Sequence, residues 1–319
     1  MALNVVIACG GTGGHLFPGI AVAEAVKAQG GEPLVLISEK EIDALATKGY
    51  EHLRFETLPA IGMPSPLSPK IFPFALRFLK TRSRCKTLVR DFGAQAVLGM
   101  GGFTSLAPLM AGRGVKAKTF IHESNAFPGK ANRMAARFAD VVLLGMEACA
   151  KHFPRKEVAV VGTPLRDSMR QGYDRDEALH HFGLETGDRK TLLVMGGSQG
   201  ARGINRGVTG ALEQIQEAGL QVIHLAGPSD YAEIEAAYAN APFPHHVADF
   251  CHEMHLAYAA ADLAIARSGA SSLAELSAFG LPAILVPYPF ATDDHQTLNA
   301  KVYADQASAV LLQEDELAA

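Results

Sequence analysis

Val5-Val-Ile-Ala-Cys-Gly-Gly-Thr-Gly-Gly-His-Leu-Phe-Pro-Gly19 decides how the rest of the chain is read. An apolar run of strand length feeds into four glycines and a histidine, and Ile20 to Ala28 follows with the alanine and valine content of a buried helix. The pattern is strand, glycine turn, helix N-terminus. Such a turn lets backbone come close to a ligand, and the unpaired N–H groups of the next helix favour a phosphate or a developing negative charge. The dinucleotide fingerprint is not met: counted from Gly11, the third glycine of G-x-G-x-x-G falls on Leu16. His15, at the mouth of the turn, titrates near neutral pH and suits a general base; the alternative is a residue that caps the helix or bonds a neighbour.

The chain has 319 residues, too many for one ordinary core and enough for two domains of about 150 each. A formal net charge of −4 argues against a general nucleic-acid binder. No basic region precedes the first apolar run, no cleavage site follows it, and no window reaches the roughly 18 apolar residues of a membrane span. A cytoplasmic chain is expected. Cys9, Cys85, Cys149 and Cys251 form no C-x-x-C pair, so reduced, packed thiols are expected rather than disulfides or a zinc site.

Outward from the first turn, Pro33 to Ile37 reads as a strand, Glu41 to Lys48 as a short helix, and the proline-crowded stretch Pro59 to Pro73 as an extended loop. From Lys70 to Arg90 the character reverses. Lys70, Arg77, Lys80, Arg82, Arg84, Lys86 and Arg90 are basic, none of the window is acidic, and Phe72, Phe74, Leu76, Phe78 and Leu79 are bulky and apolar. On a helix this gives apolar surface flanked by cations, as in a segment lying on an anionic membrane; the alternative is a solvated helix with its stripe on the core.

Strands at Ala96–Leu98 and Thr119–His122 run into Gly99-Met-Gly-Gly-Phe-Thr-Ser105 and His122-Glu-Ser-Asn-Ala-Phe-Pro-Gly129, with Lys130 to Phe138 helical; Val141–Leu144 and Val158–Val161 are further strands. Strands alternating with helices imply a parallel sheet whose ligands gather at the carboxyl ends of its strands. Val161-Gly-Thr-Pro-Leu-Arg166 interrupts the pattern, and the domain boundary is placed there, giving domains 1–161 and 162–319. The second half repeats the grammar. Strands at Thr191–Met195, Leu220–Ala226, Ala261–Ala266 and Pro282–Pro287 alternate with helices at Ile204–Ala218, Tyr231–Ala239 and Leu273–Phe279. The fold class is therefore α/β, two doubly wound Rossmann-like domains, with a cleft between them as the natural site.

In the second half, Ser268 to Glu275 leaves small residues Ala270, Ser271 and Ser272 at a helix start, which suits a diphosphate. Glu275 can accept from paired hydroxyls such as those of a ribose, or simply offset the helix dipole. Gly196 to Gly200, with Ser198, offers a second phosphate cradle, and Arg166 could reach the same charge. Asp293-Asp294 lacks the spacing of a metal clamp, and His252-Glu-Met-His255 is one residue short of H-E-x-x-H. Metal-free electrostatic stabilisation of a leaving group is expected.

Gly10-Gly-Thr-Gly-Gly-His15, Gly101-Gly-Phe-Thr-Ser105, His122-Glu-Ser-Asn125, Gly196-Gly-Ser-Gln-Gly-Ala201, Arg267-Ser-Gly-Ala270 and Asp294-His-Gln296 together resemble the MurG family in order and spacing, from the first strand to the C-terminus. This family of bacterial N-acetylglucosaminyltransferases converts lipid I to lipid II in peptidoglycan synthesis. The resemblance implies a GT-B fold and inverting transfer of GlcNAc from UDP-GlcNAc to the C4 hydroxyl of MurNAc in undecaprenyl-pyrophosphoryl-MurNAc-pentapeptide, with no cofactor. It further implies that Thr12, Gly13, Gly14 and Asn125 face the transferred sugar, and that Arg166, Ser198 and the backbone at Ala270, Ser271 and Ser272 meet the diphosphate. Glu275 would hold the ribose, Gln296 the GlcNAc hydroxyls, the Cys251 backbone the uracil, and His15 would be the base. Phe72, Arg77, Phe78, Leu79, Lys80 and Arg84 fall on the family's membrane-docking surface, which implies a peripheral enzyme on the anionic inner leaflet, at the cytoplasmic face of the cell membrane.

Three departures stand out. Thr163 replaces the usual hinge asparagine, Ser271 replaces a leucine of some members, and the chain stops at Ala319, before the family's final crossover helix. Rival readings are a UDP-GlcNAc epimerase or a glycolipid glycosyltransferase on the same architecture, and a catalytically silent membrane adaptor that keeps the nucleotide site as a sensor. A nicotinamide oxidoreductase is disfavoured by the failed fingerprint and the duplicated halves.

Overall fold

The computed structural model describes residues 2–10, 13–39, 49–59, 68–69, 71–197 and 200–318. The chain divides into two compact units, Met1–Arg166 and Asp167–Ala319. The division falls later than the Val161 expected from sequence, because residues 161–162 are still tied to the first sheet. The Val161 and Gly162 amides donate to the Leu144 carbonyl at 2.9 and 3.2 Å, and His122 Nε2 bonds the Gly162 carbonyl at 2.9 Å.

The first unit is a parallel sheet of seven strands: β1 Asn4–Ala8, β2 Glu32–Ser38, β3 Arg54–Leu58, β4 Ala96–Gly99, β5 Lys118–Glu123, β6 Val141–Leu144 and β7 Glu157–Val160. Their spatial order is β3-β2-β1-β4-β5-β6-β7. Alternation along β1 sends Val5, Ile7 and Cys9 to one face, under helix Gly13–Ala28, and Val6 and Ala8 to the other, under helices Ile71–Asp91 and Leu106–Gly114. Both faces being covered, β1 and β2 read as unbroken apolar runs. Each fully buried side chain such as Ile7 or Leu36 contributes about 1.5–3 kcal/mol.

The second unit has six parallel strands: β8 Thr191–Met195, β9 Gln221–Leu225, β10 His245–Ala248, β11 Leu263–Ala266, β12 Ala283–Leu285 and β13 Ala309–Leu311. The order is β10-β9-β8-β11-β12-β13. In both sheets the order reverses beside the first strand, between β1 and β4 and between β8 and β11. Loops leaving adjacent strands at such a switch point diverge to opposite faces and open a crevice at the carboxyl edge, where α/β sheets bind ligands.

Several expectations shift. The helix expected over Ile204–Ala218 is two, Arg202–Gly210 and Leu212–Glu217. Gly207 and Gly210 have low helix propensity, and the Thr209 hydroxyl bonds back to the Asn205 carbonyl at 3.0 Å. Helix Lys130–Ala135 ends before the expected Phe138. The helix carrying His15 starts at Gly13, well before Ile20, and Pro18 within it has no N–H to give the Gly14 carbonyl. The expected helix Glu41–Lys48 and most of the loop after Pro59 lie outside the described residues. Pro73 instead stands in the first turn of helix Ile71–Asp91, where a missing N–H costs nothing. Among the described residues no helix is long and apolar enough to cross a membrane.

Candidate active site

In the first unit the site is built from the turns leaving β1, β4 and β5. Thr104 Oγ1 donates to the Gly10 carbonyl at 2.8 Å, and Ser105 Oγ donates to the Gly101 carbonyl at 2.8 Å while accepting from the Gly101 amide at 3.0 Å. These bonds stitch the β1 and β4 turns together at the switch point. His15, in the first helical turn, lies against the second of them. A Cβ placed on Gly101 would fall 2.6 Å from His15 Nε2, and Gly101 has φ 121°, a conformation that side chains disfavour. The backbone is thus bare where the imidazole needs room.

Two residues along the same helix, the Phe17 ring carries the Arg166 guanidinium 4.6 Å from its centroid. This contact places Arg166 beside the helix start that bears His15. Gly13 and Gly14 begin that helix; Thr12 lies outside the described residues.

The β5 turn is organised by Glu123, only 2% exposed. Its Oε1 accepts from the Asn125 amide at 3.0 Å and Asn125 Nδ2 at 2.9 Å; its Oε2 accepts from the Gly129 amide at 3.1 Å and Asn132 Nδ2 at 2.8 Å. One buried carboxylate therefore fixes Asn125 by both backbone and side chain. His122 faces a carbonyl with Nε2 and the Ser124 hydroxyl with Nδ1 at 3.2 Å, which suits a neutral ring protonated on Nε2. Burial lowers its pKa, so it stays neutral and structural.

In the second unit the turns leave β8 and β11. Gly200 has φ 75°, and a Cβ there would fall 2.2 Å from the Ala226 carbonyl oxygen, so the turn lies tight against the end of β9. Ser198 lies outside the described residues. After β11, helix Ala270–Ala278 takes its first intrahelical bond from the Leu273 amide to the Gly269 carbonyl at 3.0 Å. The amides of Ala270, Ser271 and Ser272 precede that bond and have no acceptor within the helix. They form the positive end of the helix dipole.

Neighbouring bonds set the frame around this helix start. Ser268 Oγ donates to the Gln296 carbonyl at 2.8 Å, Asn299 Nδ2 donates to the Ser268 carbonyl at 3.1 Å, and the Tyr288 amide donates to Gln296 Oε1 at 2.9 Å. With its oxygen engaged there, the Gln296 amide is oriented by the β12 loop. Asp293 and Asp294 in the same loop hold φ near +54° and +51°, a local strain of the sort found where a loop presents a side chain. Glu275 is half-buried and accepts from the Tyr258 hydroxyl at 2.8 Å. The Cys251 thiol is pushed up to about 11 by burial and is no nucleophile at neutral pH. Among the described residues no group of three or more His, Cys, Asp or Glu side chains is placed to hold a metal ion.

Helix Ile71–Asp91 has two apolar sides. Thr81, Cys85 and Val89 are buried, and Phe78 packs beside them on the core. Phe72, Leu76 and Leu79 lie on the far side, 75%, 65% and 56% exposed. Arg77 and Lys80 are exposed with them, whereas Arg84 comes within 3.8 Å of Glu56. Phe78 thus faces inward, unlike the rest of the expected docking set.

Sequence reading gave no role to Glu123 and Arg267, although both stand in the motifs quoted above, and it missed Tyr258. Arg267 is nearly buried, donates to the Val286 and Pro287 carbonyls at 3.2 and 2.9 Å and pairs with Glu314, so it ties the C-terminal turn to the end of β12. A carboxylate at the end of an apolar strand was the available signal for Glu123; nothing local marks Tyr258.

Two sets of glycine turns at switch points, one in each unit, the first bearing an imidazole and the second a helix N-terminus with a carboxylate on it, are the marks of a glycosyltransferase of the GT-B type. Residues 5–144 match the N-terminal domain model of glycosyltransferase family 28, and residues 191–319 match its C-terminal domain model. The chain belongs to this family and, within it, to the MurG family. It is 38% identical to the UDP-N-acetylglucosamine–N-acetylmuramyl-(pentapeptide) pyrophosphoryl-undecaprenol N-acetylglucosamine transferase of Syntrophus aciditrophicus, over 99% of this chain and 87% of that one. The enzyme of the same name from Geobacter sulfurreducens is also 38% identical, over 99% and 86%. The crystal structure of Acinetobacter baumannii MurG superposes with a TM-score of 0.76 at 28% identity, covering 99% of this chain and 87% of that one. A UDP-glucose:anthocyanidin 3-O-glucosyltransferase shares the fold at 13% identity, with a TM-score of 0.68 over 98% and 86%.

Proposed function

We propose that this chain transfers GlcNAc from UDP-GlcNAc to the C4 hydroxyl of MurNAc in a lipid-linked pyrophosphoryl acceptor, lipid I, giving lipid II. The observation that carries the reading is the seating of His15 against the bare Gly101 backbone at the β1/β4 switch point. His15 takes the proton from the acceptor hydroxyl as its oxygen attacks the anomeric carbon from the face opposite UDP. The bond from that carbon to the diphosphate oxygen breaks, the configuration inverts, and UDP leaves with the electron pair. Its growing charge is met by the amides of Ala270, Ser271 and Ser272, with Ser198 and Arg166 as further donors. Glu275 accepts from the ribose hydroxyls, Gln296 and Asn125 bind the sugar, and the Cys251 backbone meets the uracil. No step draws on a metal.

The acceptor's lipid tail calls for a membrane contact, and the outward apolar stripe Phe72, Leu76 and Leu79, beside Arg77 and Lys80, supports docking on an anionic leaflet. The cytoplasmic face of the membrane is the site this implies. Incubation with UDP-GlcNAc and a lipid I analogue tests the reading: UDP release should require the acceptor. Release of UDP in its absence would favour a hydrolase if the free sugar is GlcNAc, or an epimerase if it is the C2 epimer, ManNAc. His15→Ala should lower kcat at least about a hundredfold while leaving the donor KM within about twofold.

A further inference from the structure

Helix Met254–Ala260 carries a buried tyrosine that reaches the helix after β11. Tyr258 is 2% exposed, and its hydroxyl donates to Glu275 Oε2 at 2.8 Å. Its ring is wedged by Phe279, centroids 5.3 Å apart, at the C-terminal end of the helix that carries Glu275. Phe279 in turn stacks on Tyr173 at 6.5 Å. A buried phenol backed by aromatic rings has few rotamers open to it, so its hydroxyl marks a fixed point.

A glutamate side chain has three rotatable bonds, and each contact that fixes one of its oxygens lowers the entropy left to be lost when a ligand binds. We propose that Tyr258 is a positioning residue for the donor. It pins one oxygen of Glu275 so that the carboxylate is held ready for the paired ribose hydroxyls, which would otherwise bear the cost of ordering it. The hydroxyl is also 3.6 Å from Met195 Sδ, at the end of β8, an alternative and weaker acceptor that keeps it from turning elsewhere. Tyr258 touches neither substrate nor reacting atoms in this account. Its effect is on donor affinity and passes through Glu275.

The inference rests on the proposed role of Glu275 on the ribose, and the test separates the two. Tyr258→Phe keeps the ring and its packing on Phe279, and is compared with wild type using UDP-GlcNAc and its 2′,3′-dideoxy analogue. Expected is a donor KM raised about fivefold to tenfold for UDP-GlcNAc, a kcat within about twofold, and no change in KM for the dideoxy donor. Equal losses with both donors would mean that Tyr258 only supports the fold, and an unchanged KM would mean that it does nothing for the donor; either overturns the proposal. If wild type does not distinguish the two donors, Glu275 is not on the ribose and both readings fall. Should Tyr258→Phe not stay folded, Tyr258→Met, which fills the same space beside Met195, carries the same comparison.

Discussion

Replacing Glu123 by Gln should unfasten the β5 turn. The carboxylate accepts four hydrogen bonds, two on each oxygen, from Asn125, Gly129 and Asn132, and it is buried. An amide at this position turns one acceptor into a donor, so whichever way it is set, two N–H donors face an NH2 group. Hydrogen bonds to a charged group are worth about 1.5–3 kcal/mol each. Two lost bonds therefore come to about 3–6 kcal/mol, and local adjustment recovers part of it, leaving about 3 kcal/mol as the working value. With two domains, a single melting curve does not isolate this loss. Hydrogen exchange across residues 118–135 does: at about 1.4 kcal/mol per factor of ten, whichever of the Asn125 and Gly129 amides faces the new NH2 group should exchange on the order of a hundredfold faster. Transfer activity should fall with it, because Asn125 is held on both its backbone and side chain by the same oxygen. Glu157→Gln, an exposed carboxylate on β7, is the control and should change nothing beyond about 0.5 kcal/mol. Unaltered protection at both Asn125 and Gly129 in Glu123→Gln would refute the idea that one carboxylate organises the turn.

Gly101→Ala puts a methyl group where His15 lies and a side chain on a backbone at φ 121°; kcat should drop at least about tenfold while UDP affinity, measured by calorimetry, stays within about twofold. His224, buried between Tyr238 and Asn205, has its pKa lowered by desolvation to about 4. The unfolded chain, titrating near about 6.5, binds that proton first, so its contribution is complete above about pH 6.5 and is lost as pH falls towards 4. Denaturant melts of the second unit should lose about 3 kcal/mol over that window, and His224→Gln should flatten the profile. Arg77→Glu with Lys80→Glu should weaken binding to vesicles rich in anionic lipid by at least about tenfold at low salt, read by co-sedimentation, with little change on neutral vesicles.

The central strands of both sheets were legible because they are covered on both faces. Val5 to Ala8, Leu34 to Ile37 and Leu192 to Met195 read as apolar runs bounded by turn residues, and β1, β2 and β8 lie where those runs do. β3, β10 and β13 were not legible, and all three are edge strands. Arg54-Phe-Glu-Thr-Leu58 carries two charges, and His245-His-Val-Ala248 two histidines, because an edge open to solvent tolerates polar side chains and discourages pairing with another chain. Only the sheet supplies the apolar surroundings that make them strands, and a window of five residues does not contain it.

The site shows the same division between local and distant causes. His15, Gly101 and the helix start at Ala270 are local signals, since a glycine turn before a helix has only a few physical uses. What holds them is remote. Thr104 reaches back to Gly10, Ser268 bonds the backbone at Gln296, and Tyr258 meets Glu275 from a different helix. Such bonds join segments that the sheet order brings together, and residue spacing carries no trace of them. The two sheets share one strand order around their switch points, so the fold alone gives both units the same crevice and cannot tell their tasks apart. The difference lies in a few side chains. An imidazole beside bare backbone can move a proton, whereas amides at a helix start beside an oriented carboxylate can hold an anion and a sugar. On the proposed reading, that asymmetry assigns the base to the first unit and the nucleotide to the second, and exchanging the residues at the turns, without altering either sheet, is expected to remove the chemistry.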